Sequence, residues 1–296
     1  MKYALAQSTR IGARRINQDR IGSWSTSACV LMAVADGLGG HILGEVAAEL
    51  AIQLLGAAFE REAKPRIPDP DAFLARVIGA SHAAILREAE RRRLDDTPRT
   101  VLVACIVQDG LAHWMHVGDS RLYLIRDGRI VHRTRDHTVV QELIDAGRIR
   151  EEAVTSHPER NRLLQCLGGF TTPRPDPAAR VALAKNDIVL LCSDGFWGPL
   201  TQRQMLHALM ARELNPAIEE LMELAERRGG PACDNISVIA MTWGEEAVPV
   251  TPPELERTQV QDLTATDLDF MRMSDEDIEK AIADIKAALR KTTASQ

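Results

Sequence analysis

Apolar residues along this chain recur with two different periods. Over 3–9, 21–26 and 29–35 they alternate, or run together with β-branched and aromatic residues, which predicts strands; over 44–63 they return at helical spacing. A second helix is predicted over 71–93. It is opened by Asp69-Pro70-Asp71, where an aspartate can accept from the free amides of a first turn. Strand-like runs resume at 101–107, 111–117, 121–125 and 129–133, separated by Asp109-Gly110, Gly118-Asp119 and Asp127-Gly128. Such short connections predict antiparallel hairpins, because parallel strands need a long crossover. A helix over 138–146 and an irregular stretch over 151–179, with prolines at 158, 173, 175 and 177, interrupt the pattern. Strands return at 180–184 and 187–192, two helices follow, and the last strand is 236–243. Asn215-Pro216 opens the second of those helices and Gly229-Gly230 closes it. Strand blocks flanked by helix pairs predict an α+β fold, a four-layer αββα sandwich of two antiparallel sheets flanked by helices.

After Trp243-Gly244 the chain turns to Val248-Pro249-Val250-Thr251-Pro252-Pro253, the composition of a linker. The expected organisation is a catalytic domain over 1–244, a linker over 245–273 and a C-terminal amphipathic helix over 274–291. That helix opens at Ser274-Asp275-Glu276-Asp277 and carries Ile278, Ile282, Ile285 and Leu289 as one apolar stripe, which docks on its own domain or binds a partner.

Composition narrows the class. With 296 residues, 45% hydrophobic and 26% charged, the chain has the balance of a soluble globular protein, and a net charge of -6 gives no basic footprint for nucleic acid. The arginine-rich stretch 87–93 has Glu88 and Glu90 interleaved and reads as a solvated helix face. Cys29, Cys105, Cys166, Cys192 and Cys233 form no Cys-x-x-Cys pair and read as small core residues in a reducing compartment. No segment approaches the ~18 apolar residues of a membrane span, so no membrane and a cytoplasmic location are expected.

The chemistry concentrates in aspartates beside apolar runs. Ala33-Val34-Ala35-Asp36-Gly37, Met115-His116-Val117-Gly118-Asp119, Leu190-Leu191-Cys192-Ser193-Asp194-Gly195 and Asp234-Asn235-Ile236-Ser237-Val238-Ile239 each place a carboxylate at the edge of a buried strand. Asp is short enough to place oxygens accurately from a rigid strand end, and hard divalent cations such as Mg2+ or Mn2+ prefer such oxygens. Two ions about 3.5 to 4 Å apart can activate one water, which suits phosphoryl transfer above other reactions.

In order along the chain come Arg14-Arg15-Ile16-Asn17-Gln18-Asp19, Val34-Ala35-Asp36-Gly37-Leu38-Gly39-Gly40-His41 with Gly44-Glu45, Val117-Gly118-Asp119-Ser120-Arg121, Arg135-Asp136-His137-Thr138, Ser193-Asp194-Gly195 and Asp234-Asn235-Ile236-Ser237. Together they resemble the bacterial form of the metal-dependent serine/threonine protein phosphatases, the PPM or type 2C family, over about residues 1 to 243. The resemblance implies hydrolysis of phosphoserine and phosphothreonine in proteins by a metal-bridging water. It implies that Asp36 bridges two Mn2+ or Mg2+ ions with the Gly37 carbonyl as a further ligand, that Asp194 and Asp234 complete the first, and that Asp19 serves the second directly or through water. Asp119 with Asp194 would hold a third, weaker ion. Arg14 would bind the substrate phosphate, with Arg15 as the alternative.

Several positions keep two readings. Asn235 orders the Asp234 turn or touches substrate; Asp136 starts the following helix or edges the site. Gly39 and Gly40 permit a tight turn. Eukaryotic members often have a histidine directly after the Asp-Gly pair, whereas Leu38 stands here. His41 and water are the two candidates for the general acid. The 151–179 stretch matches the family's flap, in which Arg160, Asn161 and Arg162 could meet phosphopeptide. The expected partners are phosphorylated proteins, a cognate Hanks-type serine/threonine kinase and an FHA-domain or other reader of a tail phosphorylated near Thr264 and Thr266, with the enzyme a monomer. A phosphoprotein-binding pseudophosphatase is the alternative function, and a different metal-dependent phosphatase or a nuclease stands behind it.

Overall fold

The computed structural model describes residues 1–39, 43–150, 153, 157–176 and 179–244. The expected linker, the C-terminal helix, the tail threonines, Gly40 and His41 lie outside the described residues.

Ten strands form two five-stranded sheets. The first has the order β1 (Tyr3–Arg10), β10 (Ile236–Trp243), β9 (Ile188–Cys192), β6 (Arg121–Arg126), β7 (Arg129–Arg133). The second has the order β2 (Arg20–Ser25), β3 (Cys29–Gly37), β4 (Thr100–Gln108), β5 (Leu111–Val117), β8 (Ala179–Ala182). Every pairing is antiparallel. Helices α1 (Gly44–Glu62) and α2 (Pro70–Arg92) cover the second sheet; α5 (Gln202–Ala211) and α6 (Leu214–Gly229) cover the first. Short helices α3 (Val139–Asp145) and α4 (Asp194–Trp197) lie at the rim.

The two-residue period of a strand explains the four layers. Along β3, Leu31, Ala33 and Ala35 pack under the helices while Val30, Met32 and Val34 face the other sheet. β4 repeats the division with Leu102, Ala104 and Ile106 against Val103, Cys105 and Val107. From the first sheet, Leu122, Leu124, Val189, Leu191, Ile239 and Met241 close the same inter-sheet core. Central strands buried on both faces read as continuous apolar runs, and this is the expected αββα sandwich.

Helix starts follow local chemistry. The Asp69 side chain accepts from the amides of Asp71 and Ala72 at 3.1 and 3.0 Å, and Thr201 with Gln204 makes a capping box at α5. Arg91 and Arg92 near the end of α2 pair with Glu88, but of the two only Arg91 is exposed, so the arginine-rich stretch is a partly covered face rather than a fully solvated one. All five cysteines are free thiols, and all but Cys166 are buried.

Two expectations change. Asp109-Gly110 and Asp127-Gly128 both adopt positive φ and turn true hairpins, β4–β5 and β6–β7. Gly118-Asp119 does not. Residues 118–120 carry the chain from the second sheet to the first, with Gly118 alone at φ +108. A Cβ on Gly118 would stand 2.1 Å from Val101 Cγ1, so glycine is required on both conformational and packing grounds. The second change is at Asp136, which does not start the following helix. Thr138 caps α3, its side chain accepting from the Gln141 amide.

The inter-sheet core is the rigid base of the rim. Leu191→Ala, at a fully buried position between the sheets, is expected to lower stability by about 2–5 kcal/mol in urea unfolding. A loss under about 1 kcal/mol would contradict the packing described.

Candidate metal centre and catalytic cleft

One end of both sheets collects the acidic residues. In the second sheet, Gly37 at the end of β3 pairs with Thr100 at the start of β4, and Arg20 at the start of β2 pairs with Ala35. In the first, Cys192 at the end of β9 lies beside Arg121 at the start of β6, and β10 begins at Ile236 next to the end of β1. Asp36, Asp19, Asp194 and Asp234 stand at those termini. The inter-sheet crossovers 11–19 and 118–120 pass over the same end, bringing Arg14 and Asp119.

Close backbone approach fixes this rim. Gly37 packs on Gly44 so tightly that a Cβ would be 2.5 Å from the Gly44 carbonyl, and its amide donates to Gln18 O at 3.2 Å. Thr100 Oγ1 donates to Asp36 O at 2.7 Å. Glu45 accepts from Gln18 Nε2 at 3.2 Å, which ties the Gly44-Glu45 segment to the loop bearing Asp19. A Cβ on Gly195 would be 2.0 Å from Asn235 O, so Asp194-Gly195 and Asp234-Asn235 are held against each other.

Ser193 and Asn235 organise the site. Ser193, fully buried, donates its hydroxyl to Asp19 Oδ2 at 2.8 Å and accepts from the Ser237 amide at 3.0 Å. It gives α4 no side-chain cap for that reason. Asn235 does more than order the Asp234 turn. Its Oδ1 accepts from Gln18 N–H at 2.8 Å, and its Nδ2 donates to Ile11 O and Ile16 O at 2.8 and 3.1 Å, stapling down the loop that carries Arg14.

The electrostatics are those of crowded like charges. Burial, then Asp19, Asp194, Asp119 and Asp234, push the Asp36 carboxyl well above its ordinary range. Burial is also the main cause at Asp19, raised to about 7 against hydrogen bonds from Ser237 and Ser193. At Asp194, burial and then Asp234 raise the value to about 6, and at Asp119 burial and then Asp194 and Asp136 raise it strongly. Asp19 is 2% exposed, and its Oδ1 has no hydrogen-bond partner among the described residues. Buried, mutually repelling oxygens with an orphaned acceptor fit hard divalent cations.

The rim opens on a cleft of about 370 Å³ lined by Arg14, Asp119, Asp194, Asp234 and, from the flap, Arg160 and Asn161. Arg14 donates to Asp234 Oδ2 at 2.7 Å, whereas Arg15 is exposed and does not line the cleft. Arg162 pairs with Glu159 instead. Asp136 also lines the cleft, held by Arg121 through two bonds of 2.8 and 2.7 Å. The Arg121 guanidinium lies 3.4 Å from the Trp197 ring centroid, and Trp197 Nε1 donates to Asp119 O at 3.0 Å. This buried network was not legible from motifs, because its members are separated along the chain.

The sequence profile described as protein phosphatase 2C matches residues 6–232. The chain belongs to the protein phosphatase 2C family. A relative named serine/threonine protein phosphatase PstP, from Mycobacterium tuberculosis, is 37% identical over 241 residues, covering 81% of this chain and 44% of that protein. The chain therefore spans less than half the length of that relative. A protein named putative protein phosphatase 2C-type, from Streptococcus pyogenes, is 32% identical over 80% of this chain and 96% of its own length. The crystal structure of M. tuberculosis PstP superposes with a TM-score of 0.72 at 33% identity, covering 83% of this chain and all of that one. Its catalytic domain in complex with two manganese ions gives 0.68 at 32% identity, covering 81% and 97%. Family membership agrees with the two-sheet sandwich and with the resemblance drawn from the motifs. No helix among the described residues is long and apolar enough to cross a membrane.

The raised carboxyls make a pH prediction. Without cations, the folded protein keeps protons on Asp194 and Asp19 that the unfolded chain releases, so the stability these two groups contribute is fully present below the ordinary value of 3.8 and is lost as pH rises through about 6 and about 7. Cations held by these carboxylates would replace those protons. Thermal melts in chelator and in Mn2+ should show a larger Mn2+-induced rise in Tm at pH 7.5 than at pH 5. Equal increments at both would contradict the assignment.

Proposed function

We propose that this chain hydrolyses phosphoserine and phosphothreonine in proteins, by direct attack of water, using Mn2+ or Mg2+. The convergence of Asp19, Asp36, Asp119, Asp194 and Asp234 on one sheet edge, opening on a cleft walled by Arg14, carries this reading. The names of the relatives and the two manganese ions in the PstP complex support it.

In this reading Asp36, the Gly37 carbonyl, Asp194 and Asp234 would hold the first catalytic ion, Asp36 and Asp19 would serve the second, and Asp119 with Asp194 would hold a third. When bound, the ions neutralise the phosphate and make water acidic enough to attack at neutral pH. The protein's own groups provide the rest. Strand ends and buried hydrogen bonds hold the carboxylates in place before substrate arrives, so little reorganisation is needed during reaction. Arg14, on the cleft wall, binds and orients the phosphate through its planar guanidinium, exchanging part of its contact with Asp234.

Side-chain nucleophiles are poorly suited to the task. Ser193 is fully buried with its hydroxyl committed to Asp19, and burial, then Glu226 and Asp234, raise the pKa of the Cys233 thiol that lines the cleft. These facts support a reaction without a phosphoenzyme. Leu38 follows Asp36-Gly37, and no histidine among the described residues lines the cleft. We propose water as the proton donor to the leaving alkoxide, with His41, which lies outside the described residues, as the alternative. We also propose a cytoplasmic enzyme opposing a serine/threonine kinase; the five free thiols support a reducing compartment. No observation favours the non-catalytic alternative.

Phosphate release from a phosphothreonine peptide with Mn2+ tests the reading. Asp36→Asn and Asp194→Asn should each abolish it, and activity that survives either change or saturating chelator would refute the metal-dependent mechanism. Arg14→Ala should lower kcat/KM by about 10–100-fold, the loss of a charged hydrogen-bonding group from the phosphate. A wild-type kcat/KM in that variant would remove Arg14 from the site.

A further inference from the structure

A second polar cluster joins two buried histidines to a half-exposed aspartate. His116 on β5 and His137 before α3 stack with ring centroids 4.5 Å apart at 23°, and Asp176 of the flap puts a carboxylate oxygen 3.6 Å from His137 Nε2. One ligand atom from each lies within 4.8 Å of the others, a spacing that suits a cation. Proton placement argues otherwise. The Gly118 amide donates to His137 Nδ1 at 3.1 Å, and burial, followed by His116, lowers the His137 pKa to about 4. A neutral imidazole that accepts at Nδ1 carries its hydrogen on Nε2, so the atom facing Asp176 is a donor and has no lone pair for a metal. His116 is engaged too, with Nε2 2.8 Å from Arg135 O.

The backbone shows what this arrangement holds. His137 grips Gly118 twice, accepting its N–H at Nδ1 and donating its own N–H to Gly118 O at 2.9 Å. Gly118 is the positive-φ crossover residue, and Asp119 follows it directly. On its other side His137 O accepts from Leu164 N–H at 2.8 Å, Thr138 bridges Leu163, and Val139 N–H donates to Arg162 O at 3.0 Å. Flap residues 162–164 are thus bonded to 137–139, immediately after Arg160 and Asn161 of the cleft wall.

We propose that His137 is a positioning residue: by holding the Gly118 peptide while it anchors the flap, it sets Asp119 for the third cation in register with the substrate-facing loop. This rests on the assignment of that ion to Asp119 and Asp194. The acceptor at Nδ1 is the atom that matters. Asparagine can offer an oxygen at the same place, whereas phenylalanine keeps the ring and its stack on His116 but offers no acceptor.

Calorimetric titration of the full chain with Mn2+ tests this on wild type, His137→Phe and His137→Asn. The wild type should bind two ions tightly and a third more weakly. His137→Phe should weaken the third by about 10-fold or more, as loss of an outer support for a ligand does, with the first two unchanged; His137→Asn should restore it. An unchanged third ion in His137→Phe overturns the proposal, as does equal weakening in both variants or weakening of all three sites together. Should His137→Phe fail to fold, His137→Asn decides alone: a weakened third ion in that folded variant refutes the role of the acceptor. Only two ions on the wild type would remove the third-ion assignment and this coupling with it, while leaving the two-ion reaction standing. Zn2+ bound by wild type and lost in both variants would overturn the proton placement and make the cluster a metal site.

Discussion

Burial of Asp36, Asp19, Asp194 and Asp119 at one sheet edge, and then the repulsion among them, is the constraint around which the molecule is organised. Carboxylates brought together at a sheet edge push one another toward the protonated state, and a loose scaffold would let them separate. Here they start from strand ends on a sandwich whose inter-sheet core is fully buried at Val34, Val103, Leu191 and Ile239. Ser193 and Asn235 then hold the two segments that the strands alone would leave loose, Asp19 and the loop around Arg14. The resulting charge density favours cations, which in the proposed reaction would supply the electrophilic environment for phosphoryl transfer.

Topology decides which groups share that edge. A site made only from hairpins within one sheet would carry aspartates on one layer. The crossovers 11–19 and 118–120 instead pass between layers, so Asp19 and Asp119 join Asp36 and Asp194 across the sandwich. The second crossover needs a glycine where the chain turns sharply against Val101, and His137 braces that peptide from the other side. The flap is bonded to the same brace. Cleft-lining flap residues and the outlying carboxylate are therefore attached to one piece of backbone.

Much of this was legible in the chain because the strongest signals are local. Apolar runs ending in aspartate gave the strands and the edge residues, and Asp109-Gly110 and Asp127-Gly128 gave true hairpins through their positive φ. Gly118-Asp119 has the same composition in the reverse order, and only its glycine enters the positive-φ region. That order makes a crossover rather than a two-residue hairpin. The supports were illegible for a different reason. Asn235 meets Gln18 and Ser193 meets Asp19 from opposite ends of the sequence, and Asp136 finds Arg121 only after β6 and β7 have folded back. No periodicity or turn rule reports such pairs; Asn and Ser beside metal-type aspartates were the available hint.

Diffraction at the manganese absorption edge from crystals of this protein grown with Mn2+ addresses the account most directly. Two strong anomalous peaks should touch Asp36, one also contacting Asp194 and Asp234 and the other on the side of Asp19. Peaks absent from Asp36, or confined to His116, His137 and Asp176, would contradict the claim that the acidic sheet edge is the cation-binding catalytic centre.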